Sequence, residues 1–210
     1  MTNPDIGAFY GAARKRLTAL VTEEGVDLER MVPATPAWRV HDVVAHLTGV
    51  ATDVINKNGA GAPGEAWTAA QVARGRDRTL ADLLADWEKF GALLQEFLSS
   101  PAGAPVANVV MDVHSHESDV RNAFGMPTEL PSDFLAWSMG RIRDGFHSGV
   151  AEAGLPPVSI KVTDAELFRA RLGRRTAQEV CAYDWSLDPK PYLETFFLFG
   201  PAEQSIGERL

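Results

Sequence analysis

The chain has 210 residues, 45% hydrophobic and 23% charged, the composition of a globular protein able to bury its own core. That balance excludes a disordered, collagen-like or disulfide-dependent chain. Lys and Arg total 20 against 28 Asp and Glu, a net charge of −8, the reverse of what nonspecific nucleic-acid binding requires. The single cysteine, Cys181, rules out an intramolecular disulfide and every Cys-x-x-Cys site, so any metal must be held by His and carboxylates. The first residues lack the basic-then-apolar order of a signal peptide, and no apolar run approaches the roughly 18 residues of a membrane span, so a cytoplasmic protein is expected.

Ile6, Phe9, Tyr10, Ala13, Leu17, Leu20 and Val21 recur at three and four, which predicts an amphipathic helix over Ile6 to Val21. An irregular stretch with Pro33 and Pro36 leads to a second helix, Val40 to Asn58, striped by Val43, Leu47, Val50, Val54 and Ile55. The segment from Gly59 to Trp67 reads as a loop, and a short helical piece follows it. Thr79 is an N-cap for a third long helix, Leu80 to Leu98. A fourth spans about Ala107 to Phe124, stopped by Gly125 and Pro127, and a fifth about Ser132 to Ala153. Stripes of this kind joined by short connections predict a mainly α protein, an up-and-down bundle of four long helices plus one extra, over residues 1–154.

Beyond Gly154, Pro156 and Pro157, alternation of Val158, Ile160 and Val162 with polar residues predicts one strand. A short helix near Ala165 to Leu172 ends at Gly173, and Thr176 with Glu179 makes a capping box for another. Residues 155–210 are too few for an independent core and are expected to form a small α/β segment docked on the bundle.

Asp112 and His116, four apart on the fourth helix, project from one face. His116 lies between Val113 and Val120 of the buried stripe, and His46 stands at the edge of the stripe on the second helix. Both point inward, so His46, Asp112 and His116 form a three-ligand set that would leave metal positions open for catalysis. The alternative is that the pair is fortuitous and each histidine is a hydrogen-bonded core residue. Asp119, three after His116, is either a partner that orients it or an ordinary surface carboxylate. His114, beside Glu117, Ser118 and Arg121, reads as solvated, so His114→Ala is expected to change little. His41 belongs to the helix start and His147 is structural. Gly59, Gly61 and Gly64 spell G-x-G-x-x-G but follow a helix and include Pro63, which makes them a flexible loop rather than a nucleotide site. Cys181 has no histidine near it in sequence and is read as buried structure. Arg169, Arg171, Arg174 and Arg175 form a basic cluster at a helix end, either solvated or anion-binding.

Pro36 and the string Trp38-Arg-Val-His-Asp-Val-Val-Ala-His46-Leu47 resemble the second-helix motif of the mycothiol-dependent maleylpyruvate isomerase family, within the DinB-like superfamily. Met111-Asp-Val-His-Ser-His116-Glu-Ser-Asp119-Val-Arg121, followed by Ala123-Phe-Gly125-Met-Pro127, is similar to that family's second ligand helix. Glu166-Leu-Phe-Arg-Ala-Arg-Leu-Gly173-Arg174-Arg175 and Asp184-Trp185 are similar to the segment after the bundle. The resemblance implies a DinB-like bundle holding a divalent metal, commonly zinc, through His46, Asp112 and His116. Asp112 stands where the characterised isomerase has glutamate, a shorter arm. Arg174 matches an arginine that the family's fuller C-terminal domain brings near the active site, and Arg74 or Arg76 could add an anion contact.

The chemistry implied is that of a metal-activated thiolate, with mycothiol as the cosubstrate. The thiolate adds to a cis double bond, the resulting single bond rotates, and elimination gives the trans isomer. Without elimination the product is that of a thiol S-transferase. Expected partners are a small-molecule substrate and the thiol, with a homodimer as the assembly and neither nucleic acid nor membrane bound. Two alternatives stand beside this reading. One is a non-catalytic protein that binds a small ligand or metal, and the other is a metal-dependent hydrolase that releases product without thiol.

Overall fold

α1 (Ile6–Val21) begins where the Asp5 carboxylate accepts the Ala8 N–H at 3.1 Å, satisfying one of the donors a helix start leaves free. The computed structural model describes residues 4–210, and the protein it shows is mainly helical, as expected. After α1 come β1 (Met31–Val32) and β2 (Thr35–Arg39), antiparallel with Val32 opposite Thr35. Next are α2 (Val40–Ile55), α3 (Glu65–Gly75), α4 (Leu80–Leu98) and α5 (Asn108–Ala123). The second unit holds α6 (Ser132–Glu152), β3 (Ile160–Lys161), α7 (Asp164–Arg169), α8 (Ala177–Cys181), β4 (Asp184–Trp185) and α9 (Leu193–Phe196).

The contacts divide the chain into two compact units, Met1–Phe124 and Gly125–Leu210. This division falls well ahead of the composition change at Gly154, because α6 makes its contacts with α7 and α9. The first unit is a four-helix bundle in which α1 and α2 each pack on both α4 and α5. Ring order therefore differs from chain order, with α1 and α2 at opposite corners. Leu17, Val43, Leu83, Trp87, Leu94, Val110 and Val113 are buried between the helices. Trp87 Nε1 donates to the Tyr10 hydroxyl at 3.0 Å, joining α4 to α1 and satisfying a polar atom that burial would otherwise penalise.

The start of α2 is built by the segment before it. The Val40 N–H donates to Arg30 O (2.9 Å) and the His41 N–H to Leu28 O (3.0 Å), so residues 28–30 serve two donors that lack intrahelical partners. Asp42 Oδ2 accepts from the Arg39 N–H and from Arg39 Nε, both at 3.0 Å. At its far end α2 stops at Ile55, short of Asn58, because Lys57 turns left-handed (φ 59°) and the Asn58 N–H returns to Asp53 O. The hairpin β1–β2 was not foreseen from the sequence. Its strands are too short, and too interrupted by Pro33 and Pro36, to show alternation.

In the second unit the expected strand is β3, confined to Ile160–Lys161 and paired with β4, which the sequence did not reveal. The helix expected over Ala165 to Leu172 is α7 continued by a wide turn, Ala170–Arg174, and Gly173 (φ 83°) breaks it as foreseen. α8 carries the capping box of Thr176 and Glu179. The arginine cluster is not a solvated helix end. Arg169, Arg171 and Arg175 are buried, since Arg169 and Arg175 pair with Glu208 and Arg175 also with Glu166, while Arg171 donates to the carbonyls of Phe196, Thr195 and Ile142. Cys181 is half-buried. Among the described residues no helix is long and apolar enough to cross a membrane.

Burial pushes the Asp42 carboxyl up, but the Arg39 hydrogen bonds and the charges of Arg39 and Arg76 outweigh it and hold the group below its ordinary 3.8. A depressed folded pKa contributes stability that is present at neutral pH and is lost as pH falls through that pKa. Asp42→Asn is therefore expected to cost about 1–3 kcal/mol at neutral pH. In denaturant titrations the gap between the two proteins should narrow as pH drops below the ordinary carboxylate range.

Candidate metal centre

α2 and α5 pack together in the bundle and bring three sequence-selected side chains to one place. His46, Asp112 and His116 each offer a ligand atom, all within 4.8 Å of one another. Asp112 spans the two rings, with Oδ2 at 3.4 Å from His46 Nε2 and Oδ1 at 3.5 Å from His116 Nε2. A tetrahedral zinc site with bonds of about 2.0–2.1 Å has ligand-to-ligand edges of about 3.3–3.4 Å. The two carboxylate–imidazole separations match such edges, each made by a different oxygen of Asp112, while the set as a whole spans up to 4.8 Å. Both imidazoles are buried, whereas the Asp112 side chain is 33% exposed, which gives the cluster an open side.

Each histidine has an acceptor near its other nitrogen, and at His46 it makes a hydrogen bond. His46 Nδ1 lies 2.9 Å from Gln71 Oε1 on α3, and His116 Nδ1 lies 3.0 Å from Asp119 Oδ2, whose side chain is fully buried. A hydrogen-bonded partner of this kind holds a ligand imidazole in one orientation and keeps the metal-facing nitrogen free of a proton. Asp119 is buried beside His116 and so is not the ordinary surface carboxylate of its second sequence reading, but its approach to Nδ1 lacks hydrogen-bond alignment. Two neutral imidazoles and a carboxylate, each with Nε2 or oxygen turned inward, suit a divalent cation of intermediate hardness.

Trp38, at the end of β2, covers one side of the cluster. Its ring centroid lies 5.1 Å from that of His46 and 5.8 Å from that of His116. Burial pushes the Tyr10 phenol up, with the Asp112 carboxylate adding to the effect, so Tyr10 stays protonated and neutral.

Residues 10–130 match the model of the mycothiol maleylpyruvate isomerase N-terminal domain. The chain belongs to this family. No curated protein and no solved structure gives a significant match. The span matched by the mycothiol maleylpyruvate isomerase N-terminal domain includes all three residues of the cluster and ends just beyond the first unit. Arg174 lies outside that span, in the wide turn after α7, where it is half-buried and its Nη1 donates to Leu172 O at 2.5 Å.

Other sequence readings fare differently. Arg74 and Arg76, considered as anion contacts, are paired with carboxylates, Arg74 with Asp53 at 2.7 Å and Arg76 with Asp42 at 3.4 Å. His41, at the helix start as expected, meets Arg78 O through Nε2. His147 is exposed and lines, with Arg143, Phe146, Lys161 and Leu167, a cavity of ≈ 750 Å³ in the second unit. Gly59, Gly61 and Gly64 fall in the turns before α3, the loop expected of them.

His114 contradicts its reading as solvated. It is 1% exposed, with Nδ1 on Val110 O at 2.8 Å, and its neighbours Glu117 and Ser118 are buried too. The polar face of α5 is internal because Arg16 of α1 clasps Glu117 through two bonds of 2.6 and 2.7 Å. Gln71, Asp53 and the wall formed by Trp38 were missed. Trp38 stands in the recognised motif, but no spacing rule ties Gln71 to His46.

His114→Ala, expected from sequence to be neutral, should instead lower stability by about 2–3 kcal/mol through the cavity it leaves. Its metal content should match the parent protein. Paired unfolding curves and elemental analysis check both halves.

Proposed function

We propose that the chain is a metal-dependent enzyme that uses a low-molecular-weight thiol, mycothiol or a close analogue. It acts as a cis–trans isomerase or thiol S-transferase on a small electrophile. The observation that carries this reading is the cluster of His46, Asp112 and His116, with an acceptor beside Nδ1 of each imidazole and one side open at Asp112. Membership of a family named for mycothiol chemistry supports the thiol.

His46, Asp112 and His116 hold the metal, and zinc suits two imidazoles, one carboxylate and an open position. When bound, such an ion supplies Lewis acidity that lets a thiol ionise near neutral pH and offsets negative charge developing on the substrate. The protein does the rest. Gln71 occupies Nδ1 of His46, and the Asp119 carboxylate lies beside Nδ1 of His116. Trp38 excludes water from one side of the pair, and the exposed edge of Asp112 marks the side from which thiol and substrate arrive. The family resemblance alone proposes Arg174 as a contact for an anionic substrate group.

A second reading, a non-catalytic protein that binds a small ligand or metal, is favoured by the cavity in the second unit beside Arg143 and Lys161. Thiol-dependent turnover, whether isomerisation or thioether formation, separates the two.

Protein purified without an affinity metal is expected to carry about one equivalent of zinc or a similar divalent ion, lost in both His46→Ala and His116→Ala. With metal present, the parent should either isomerise a cis substrate only when thiol is supplied, returning the thiol, or consume thiol when an electrophile is supplied. Arg174→Ala should raise KM for an anionic electrophile while retaining the metal. Failure to take up metal even when it is added back would overturn the metal centre. Stoichiometric metal without thiol-dependent turnover would overturn the thiol enzyme and leave the binding protein or the thiol-independent hydrolase.

A further inference from the structure

We infer that Gln71 sets the proton of His46: a buried amide relay running from Asp53 through Gln71 fixes the imidazole as its Nδ1–H tautomer and leaves Nε2 free to act as a ligand. The inference rests on the metal-centre reading of the same site and makes Gln71 a positioning residue, acting through His46.

The direction of the relay is decided at its far end. Asp53 is buried on α2, and its two oxygens are surrounded by donors. Oδ2 accepts from Gln71 Nε2 at 2.9 Å and from Arg74 Nη2 at 2.7 Å, and Oδ1 accepts from Asn58 Nδ2 at 3.0 Å. A carboxylate only accepts, so the side-chain amide of Gln71 must turn its NH₂ toward Asp53. That leaves Oε1 facing His46 Nδ1 at 2.9 Å. An amide oxygen also only accepts, so Nδ1 must carry the ring proton. In the neutral ring Nε2 then holds the lone pair, directed at the cluster where Asp112 Oδ2 lies 3.4 Å away.

Packing keeps Gln71 in this orientation. It is 1% exposed, and it lies across the face of α2 where His46, Gly49 and Asp53 follow one another at three and four residues. A Cβ on Gly49 would stand 2.6 Å from Gln71 Cβ, so the side chain lies directly on the glycine. Reversing the amide would set its oxygen against the Asp53 carboxylate and its NH₂ against the imidazole, leaving buried groups without complementary partners. The two ligand histidines thus have different chemistry beside Nδ1. His116 has the carboxylate of Asp119, whereas His46 is oriented through a neutral amide, which adds no negative charge beside Asp112.

The test uses the full chain, with zinc as the probe, and two variants. Gln71→Leu removes the relay. The double variant Asp53→Asn with Gln71→Glu moves the carboxylate one step along, so an acceptor still faces His46 and an amide donor stands behind it. Ring ¹⁵N shifts of the metal-free protein report the His46 tautomer, and competition with a chelator reports zinc affinity. The parent should show the Nδ1–H form at His46. Gln71→Leu should admit the Nε2–H form and weaken zinc binding by about 10–100-fold, with the His116 ring unchanged. The double variant should keep the parental tautomer and bind within several-fold of the parent.

An unaltered His46 tautomer with unaltered zinc affinity in Gln71→Leu would overturn the relay. So would equal changes at both rings, which would signify general loosening, or a double variant as impaired as Gln71→Leu. If Gln71→Leu does not fold, the double variant decides alone. Absence of zinc binding by the parent would sink the metal reading, while the tautomer measurement, which needs no metal, still judges the relay.

Discussion

The first unit depends on holding two neutral imidazoles with their Nε2 atoms turned toward one carboxylate inside a helical bundle. An imidazole has two nitrogens, and in the neutral ring one donates while the other accepts. A buried histidine with an unmatched nitrogen costs free energy and can also adopt the wrong tautomer. The structure answers both problems at His46 with the amide oxygen of Gln71, and at His116 it sets the carboxylate of Asp119 3.0 Å from Nδ1 without a hydrogen bond. Gln71 in turn requires its own support. This is Asp53, which draws in Arg74 and Asn58, and so reaches from the centre of the bundle to its surface.

This requirement explains why α5 carries polar groups on every side and still lies inside. His114, Ser115, His116, Glu117, Ser118 and Asp119 are consecutive and all buried. In an ordinary bundle such a run would face solvent, because a buried polar group without a partner is costly. Here α5 packs against α1, α2 and β1, and its polar atoms find partners on α1 and within α5 itself. Arg16 takes Glu117 in a two-bond clasp, the backbone of α5 takes His114 and Ser118, and His116 lies beside Asp119. Truncating one member of such a set leaves its partner buried and unsatisfied, which makes the interior less tolerant of substitution than an apolar core.

Much of this was legible in the chain. Five long helices follow from apolar spacing and cap residues, and α1 and α4 begin and end where the pattern places them. The inward aspect of His46 and His116 followed from their position relative to valines on the same helices. What failed was the reading of polar residues. His114 was placed on a solvated face by the company of Glu117 and Ser118, and the arginines after Leu167 by their density. In both cases the partners that make burial tolerable, Arg16 for Glu117 and Glu208 for Arg169 and Arg175, lie far away in sequence. Periodicity reports which face of a helix is apolar. It carries no information about ion pairs formed by tertiary contact, and Gln71 was invisible for the same reason.

The hairpin shows a different limit. β1 and β2 are too short to alternate, yet they do two things that a longer element could not do as economically. The segment leading into them supplies carbonyls to the first N–H groups of α2, and β2 ends by laying Trp38 against both ligand rings. The α2 start and the cluster are therefore fixed by the same stretch of chain, with His46 less than two turns inside the helix so capped. This placement also bears on the shorter arm of Asp112. Where glutamate would have an additional methylene with which to search, aspartate can meet two histidines only if the helices bring them close. It does so here with one oxygen toward each ring, at 3.4 and 3.5 Å. The reach lost in the side chain is supplied by the approach of α2 and α5, and a cluster built on that approach tolerates little relative movement of the two helices.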